Sequence, residues 1–167
     1  MGRFMTLEII TGDVLDVAAD GLLLTIDGVK PGMEGNIARQ FERRWPDDWK
    51  DLQRTVRYPV PLGRTVAVPW DSDCPWRLVL FASTLHHVDV LDGRQKRRVI
   101  QSSLSEALQL CDRYRARSLA TAVLQGGWRL SAEEALLAMQ TAYQAARCPH
   151  VRLLVCRCRQ TTDLHNT

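Results

Sequence analysis

The segment Thr121 to Leu136, TAVLQGGWRLSAEEAL, constrains the fold of this chain more than any other. An apolar run reads as a strand, breaks at Gly126 and Gly127, and restarts as a helix after Ser131. Adjacent glycines allow φ > 0 and leave backbone amides uncovered, so a row of N–H donors can face an anion. Ser131 and Glu134 stand at the S-x-x-E spacing of a capping box, which fixes the helix start and its positive dipole end. The segment reads either as a phosphate-holding turn or as an ordinary strand-to-helix connection whose glycines only turn the chain.

The rest of the chain repeats the alternation. Thr6 to Ile10 and Gly21 to Ile26 read as short strands joined through Gly12, Asp13 and Asp16. A turn-rich loop, Gly28 to Gly35, precedes a helix from Asn36 to Trp45 with Ile37, Phe41 and Trp45 inward and Arg39, Arg43 and Arg44 outward. A helix from Asp47 to about Arg57 follows Pro46. Thr65 to Val68 and Arg77 to Ala82 read as strands around WDSDCPW, a hairpin or a bent connection. Gln95 to Arg115 is a long amphipathic helix, Ser118 to Leu124 a strand buried on both faces, Ala132 to Ala146 a second crossing helix, and Val151 to Cys156 a last strand. Strands alternating with helices predict an α/β fold: a three-layer α/β/α sandwich with a mixed, largely parallel sheet and at least one antiparallel pair near the hairpin.

With 167 residues and 46% hydrophobic content, one domain over 1–167 is expected, with a polar tail from about 158. The net charge of +3, from 22 basic and 19 acidic residues, is too balanced to argue for nucleic acid or a membrane. The absence of a long apolar run or a signal-peptide pattern, together with five cysteines in no disulfide framework, points to a cytoplasmic protein with reduced thiols. Cys148, His150, Cys156 and Cys158 lack the usual zinc-knuckle spacing, and no metal site or cofactor is expected. His86 and His87 follow a strand, but adjacent histidines point apart and no partner acid is evident, which favours a loop role. Arg94, Lys96, Arg97 and Arg98, with Arg113, Arg115 and Arg117, read first as a solvated helix face and leave a nucleic-acid partner open without favouring it. Five tryptophans suggest that some line a cleft or an interface. No Walker A or G-x-G-x-x-G sequence is present, which disfavours an NTPase or a dinucleotide enzyme.

The two glycine loops, in this order, resemble the macrodomain family, whose members bind ADP-ribose and in some cases hydrolyse its links to proteins. The likeness runs from about Thr6 to Cys156. ITGDVLDVAADGLLLTIDG is similar to the family's opening, where G-D-I leads to an apolar strand and N-A-A-N. The resemblance implies that Asp13, next to Val14, accepts a hydrogen bond from the adenine amino group; an ionised carboxylate is acceptor-only. A loop carboxylate with a purely local bond is the other reading of Asp13. GVKPGMEGNIARQF is similar to the first phosphate loop, with Gly32, Met33, Glu34, Gly35 and Ile37 on its pattern and Asn36 added to the binding residues. Thr121 to Leu136 resembles the second, with Gln125, Gly126, Gly127, Trp128 and Arg129 as binding residues. Two such loops, each ahead of a helix, clamp a diphosphate with backbone amides. Trp128 stands where the family places an aromatic near the distal ribose, or else covers the core edge. Arg129 either contacts the diphosphate or is solvated.

Three positions depart from the family pattern. N-A-A-N becomes Leu24-Thr25-Ile26-Asp27, S-T-G becomes Leu124-Gln125-Gly126, and Glu34 stands where the hydrolytic branch has an aspartate that positions water. The resemblance therefore implies binding of ADP-ribose or an ADP-ribosylated protein, with Glu34 and Asp27 as candidate catalytic carboxylates. If Asp27 points into the cleft beside Glu34, the two would form an acid and base pair. Hydrolase and pure binder both remain open, as does a macrodomain scaffold that has exchanged ADP-ribose for protein or RNA.

Overall fold

A computed structural model describes residues 6–72, 74–125 and 130–158. Among them the chain forms, in order, β1 (Glu8–Thr11), a 3-10 turn (Val14–Asp16), β2 (Gly21–Asp27), α1 (Asn36–Arg44), α2 (Pro46–Thr55), β3 (Thr65–Pro69), β4 (Leu78–Leu85), α3 (Gly93–Arg113), β5 (Ser118–Ala122), α4 (Ala132–Ala146) and β6 (Arg152–Arg157). Most elements fall where patterning places them. Several boundaries move; β4, for instance, runs on to Leu85 and not Ala82. β1 starts at Glu8 and not Thr6, β5 stops at Ala122 and not Leu124, and α3 begins at Gly93, ahead of Gln95. The last shift has a local cause: Asp92 caps α3 by accepting from the Gln95 N–H at 2.8 Å, while the Gln95 side chain accepts from the Asp92 N–H at 2.9 Å.

The strands form a six-stranded sheet in the order β1-β6-β5-β2-β4-β3, parallel throughout except for β3, which pairs antiparallel with β4 across the WDSDCPW hairpin. Helices cover both faces, giving the three-layer α/β/α sandwich. On β2, Leu22, Leu24 and Ile26 face α1 and α2 with Val79, Phe81, Phe41, Trp49 and Leu52; Leu23, Leu80 and Ala82 face α3 and α4 with Ile100, Leu104, Leu108 and Met139. Strand side chains alternate faces, so a central strand covered on both sides must be apolar at nearly every position, as LVLFASTL of β4 is. Each such aliphatic side chain contributes about 1.5–3 kcal/mol on burial. The Tyr143 hydroxyl donates to the Val151 carbonyl at 2.7 Å and ties α4 to the start of β6.

Trp45, Trp49 and Trp76 pack into this core, and Trp49 also borders a cavity beside α1 and α2. Phe41 stacks within 5.1 Å of Trp45 and 6.0 Å of Trp49 and Trp76, and Trp45 meets Trp76 edge-on at 5.2 Å. Trp49 and Trp76 are buried. Aromatic side chains fill the gap between two short helices that carry few aliphatics of their own. Trp128 lies outside the described residues, as does the polar tail beyond Cys158.

Candidate functional site

Neighbouring parallel strands β2 and β5 run in the same direction, but the chain leaves them towards opposite sides. From β2 it passes through α1 and α2 to β4, and from β5 through α4 to β6. This is the topological switch point of an open α/β sheet, where the connections diverge and leave a crevice beyond the strands' carboxyl ends. Both glycine-bearing connections, the β2–α1 loop and the β5–α4 loop, flank that crevice, and each leads into a helix N-terminus. Gly35 N-caps α1; Ser131 N-caps α4, its hydroxyl accepting from the Glu134 N–H at 3.2 Å. The positive ends of two helix dipoles thus follow directly on the crevice.

The residues proposed from sequence occupy this edge in part. In the β2–α1 loop Gly32 has φ +94°, a conformation that excludes most side chains. Glu34 folds back to accept from the Gly32 N–H at 2.8 Å, so in this state the carboxylate occupies one of the expected phosphate donors. Met33 and Asn36 are exposed, and Ile37 is half-buried beneath them. Asp13 follows β1 and caps the 3-10 turn: Oδ1 accepts from the Leu15 N–H at 2.9 Å, and Oδ2 lies 3.4 Å from Arg44 Nη2, leaving further acceptor capacity on Oδ2. Val14 is buried. Gln125 reaches across the second loop to the Leu130 carbonyl at 3.3 Å. Gly126, Gly127, Trp128 and Arg129 lie outside the described residues.

Asp27 does not stand open beside Glu34. Its side chain has no exposed surface, and its oxygens are engaged: Oδ1 accepts from the Val29 N–H at 2.9 Å, while Oδ2 accepts from the His87 N–H at 2.8 Å and lies 3.1 Å from His87 Nδ1. The acid and base pair anticipated with Glu34 is replaced by a carboxylate and imidazole pair. The cause is a break in register. Ile26 pairs with Ser83 but Asp27 pairs with Leu85, so one extra residue of β4 is accommodated and the strand ends are re-aimed. His86 turns the other way, its Nε2 2.9 Å from the Val60 carbonyl, which also accepts from Ser83 Oγ at 3.1 Å. A carbonyl only accepts, so His86 Nε2 carries a proton. His86 Nδ1 lies 3.3 Å from Asp89. Both histidines therefore have acid partners that the sequence conceals.

Tyr58 completes the group. Burial pushes its phenol up to about 12, and the charges of Glu34 and Asp27 add to that effect. It stays a neutral donor and bonds Gln53 Oε1 at 3.1 Å. Sequence patterning offers no periodic signal for Tyr58, because it lies in the irregular stretch between α2 and β3.

A cavity of about 510 Å³ borders the β2–α1 loop on its α1–α2 side, lined by Gly32, Glu34, Arg39, Arg43, Trp49 and Gln53 among others. None of its described lining residues comes from the β5–α4 loop. Among the described residues no group of three metal-ligating side chains exists, and no helix is long and apolar enough to cross a membrane. On α3, Arg94, Arg97 and Arg98 are exposed, whereas Lys96 is buried.

The architecture is that of the macrodomains. No protein-family model matches the sequence, and no curated protein matches it. Among solved structures, the chain is similar to the macrodomain of Mycobacterium tuberculosis DarG, with 21% identity and a TM-score of 0.71 over 90% of this chain and 97% of that one. For the macrodomain of Thermus aquaticus DarG, identity is 22% and the TM-score 0.71 over 91% and 98% of the two chains. A Trypanosoma brucei macrodomain in complex with ADP-ribose aligns with 15% identity and a TM-score of 0.67 over 93% of this chain and 65% of that one.

Proposed function

We propose that this chain binds ADP-ribose, free or attached to a protein, in the crevice between the β2–α1 and β5–α4 loops. The observation that carries the reading is the position of both glycine loops at the switch point of a macrodomain fold, each running into a helix N-terminus. A structural neighbour in complex with ADP-ribose supports the choice of ligand. In this reading Asp13 takes the adenine amino group. The backbone amides of Gly32 to Ile37 and Gln125 to Arg129 take the diphosphate, and Glu34 swings off the Gly32 amide to admit it. Hydrolysis of an ADP-ribosyl linkage is the chemistry such a site could add, because an ionisable group at the crevice edge can take a proton from water.

Thermal unfolding with and without ligand tests the binding. A ligand at a hundred times its Kd stabilises by about 2.7 kcal/mol, or roughly 5–10 °C in Tm for a domain of this size. ADP-ribose is expected to produce that rise and AMP a smaller one; equal, negligible shifts with both would contradict the reading.

A further inference from the structure

At the carboxyl edge of the sheet the strand order arranges the chemistry in a row. Asp13 follows β1 at one side, the β5–α4 and β2–α1 loops lie in the middle, and His87 follows β4 on the other side. Four strand steps separate β1 from β4, roughly 19 Å at about 4.8 Å per step. That span suits an extended sugar nucleotide with its base at Asp13, its diphosphate at the loops and its terminal sugar beside β4. His87 stands at that last position with a buried carboxylate behind it. Asp27 Oδ2 can only accept when ionised, so at 3.1 Å it holds the proton of His87 on Nδ1. In the neutral ring Nε2 then carries the lone pair. Nε2 has no hydrogen-bond partner among the described residues, and the side chain is 31% exposed. The bulge between β2 and β4 and the Asp27 bond to the His87 N–H fix both partners, so the ring is oriented before any ligand arrives.

We infer that His87 is the general base of this crevice and Asp27 its positioning residue, acting on ADP-ribose joined to a carboxylate side chain; the inference rests on the ADP-ribose reading above. As the oxygen of water bonds to the anomeric carbon of the terminal ribose, one water proton passes to Nε2. The bond from that carbon to the ester oxygen breaks, and its electron pair leaves with the protein carboxylate. The imidazolium then returns its proton to solvent. Nothing is oxidised or reduced. Glu34, which gives up the Gly32 amide to the diphosphate, is not required for this step.

The test uses the intact chain, a peptide carrying glutamate-linked ADP-ribose, and calorimetry with free ADP-ribose. Positioned base catalysis contributes about 10²–10⁴-fold, so His87→Gln should lower kcat by at least about a hundredfold, with KM and the Kd for ADP-ribose unchanged within about threefold. Asp27→Asn, which offers Nδ1 an amide in place of a carboxylate, should lower kcat by about tenfold or more, again without moving KM. In the wild type, nitrogen-15 spectra should show neutral His87 protonated on Nδ1, and this holds whether or not either variant folds. Turnover by His87→Gln within threefold of wild type, a wild type that binds ADP-ribose without releasing it from the peptide, or His87 protonated on Nε2 would each overturn the inference. Failure of the wild type to bind ADP-ribose would instead overturn the ligand reading, and this inference with it.

Discussion

Arg44, in the last turn of α1, donates to Asp16 at 2.8 Å and lies 3.4 Å from Asp13, tying the helix to the turn that follows β1. This contact bears on how Asp13 meets a ligand. One Asp13 oxygen is committed to the Leu15 amide, and Arg44 touches the other at a long distance that leaves a lone pair for an adenine amino group. Asp13→Ala is therefore expected to weaken ADP-ribose binding by about tenfold or more, since hydrogen bonds to charged groups are worth about 1.5–3 kcal/mol. Arg44→Ala, which removes half-exposed ion pairs with Asp13 and Asp16 and long contacts to the Leu15 carbonyl and the Trp45 ring, should change it by less than about threefold. Equal losses in the two variants, measured by calorimetry, would show that Asp13 acts only through its local contacts.

Phe41 joins Trp45, Trp49 and Trp76 in one aromatic cluster and is fully buried. Phe41→Ala should cost about 3–5 kcal/mol in urea unfolding, because neither α1 nor α2 can collapse onto the void without losing the tryptophan contacts. The near-ultraviolet circular dichroism of the native state should fall with it.

At the sheet edge, a Cβ on Gly28 would lie on Ser83 Oγ and the Val60 carbonyl, and within 2.8 Å of His86 Nε2. Gly32 has open space around it but a positive φ. Gly28→Ala should thus destabilise by about 1–3 kcal/mol through overpacking, and Gly32→Ala by about 1 kcal/mol through backbone strain. Gly32→Ala should also weaken the ligand, which separates a loop defect from a packing defect. Urea midpoints alongside ADP-ribose titrations distinguish the two.

The cysteines give a test of the interior. Burial raises the Cys111 thiol from 9.0 to about 12 and the Cys156 thiol from 9.0 to about 11. Cys74, Cys111, Cys148 and Cys156 are buried, and Cys158 is exposed. One thiol should react rapidly with a disulfide reagent in the native protein and five after denaturation. Between pH 9 and 12 the folded chain holds protons that the unfolded chain releases. Stability is therefore retained below about pH 9 and falls as pH rises through that window. Midpoints measured at pH 8 and pH 10.5 should differ in that direction.

The alternating elements were legible because each carries its own period, as in β4, where LVLFASTL is buried along nearly its whole length, and α4, whose Ser131 cap marks its start. The β2–α1 glycine loop was legible because it interrupts those periods. The Asp27–His87 pair was not, since 60 positions separate its members and only the β2–β4 register, with its bulge, brings them together. Asp27 was noticed as a departure from N-A-A-N, but its direction depends on one extra residue in the partner strand. His87 looked partnerless for the same reason. Of the tryptophans expected in part at a cleft or an interface, Trp49 does line the cavity beside α1 and α2, while the packing of Trp45, Trp49 and Trp76 around Phe41 was not legible because composition gives their number and not their mutual contacts.

The central claim is that the switch-point crevice is an ADP-ribose site, and calorimetric titration of the purified chain with ADP-ribose, against AMP and NAD, tests it most directly. Gly126→Glu serves as the variant meant to put a carboxylate into the second loop. Micromolar binding of ADP-ribose, weaker binding of AMP and NAD, and loss of the ADP-ribose signal in the variant are the predicted result. No heat with any of the three ligands, or binding that the variant leaves untouched, would contradict the claim.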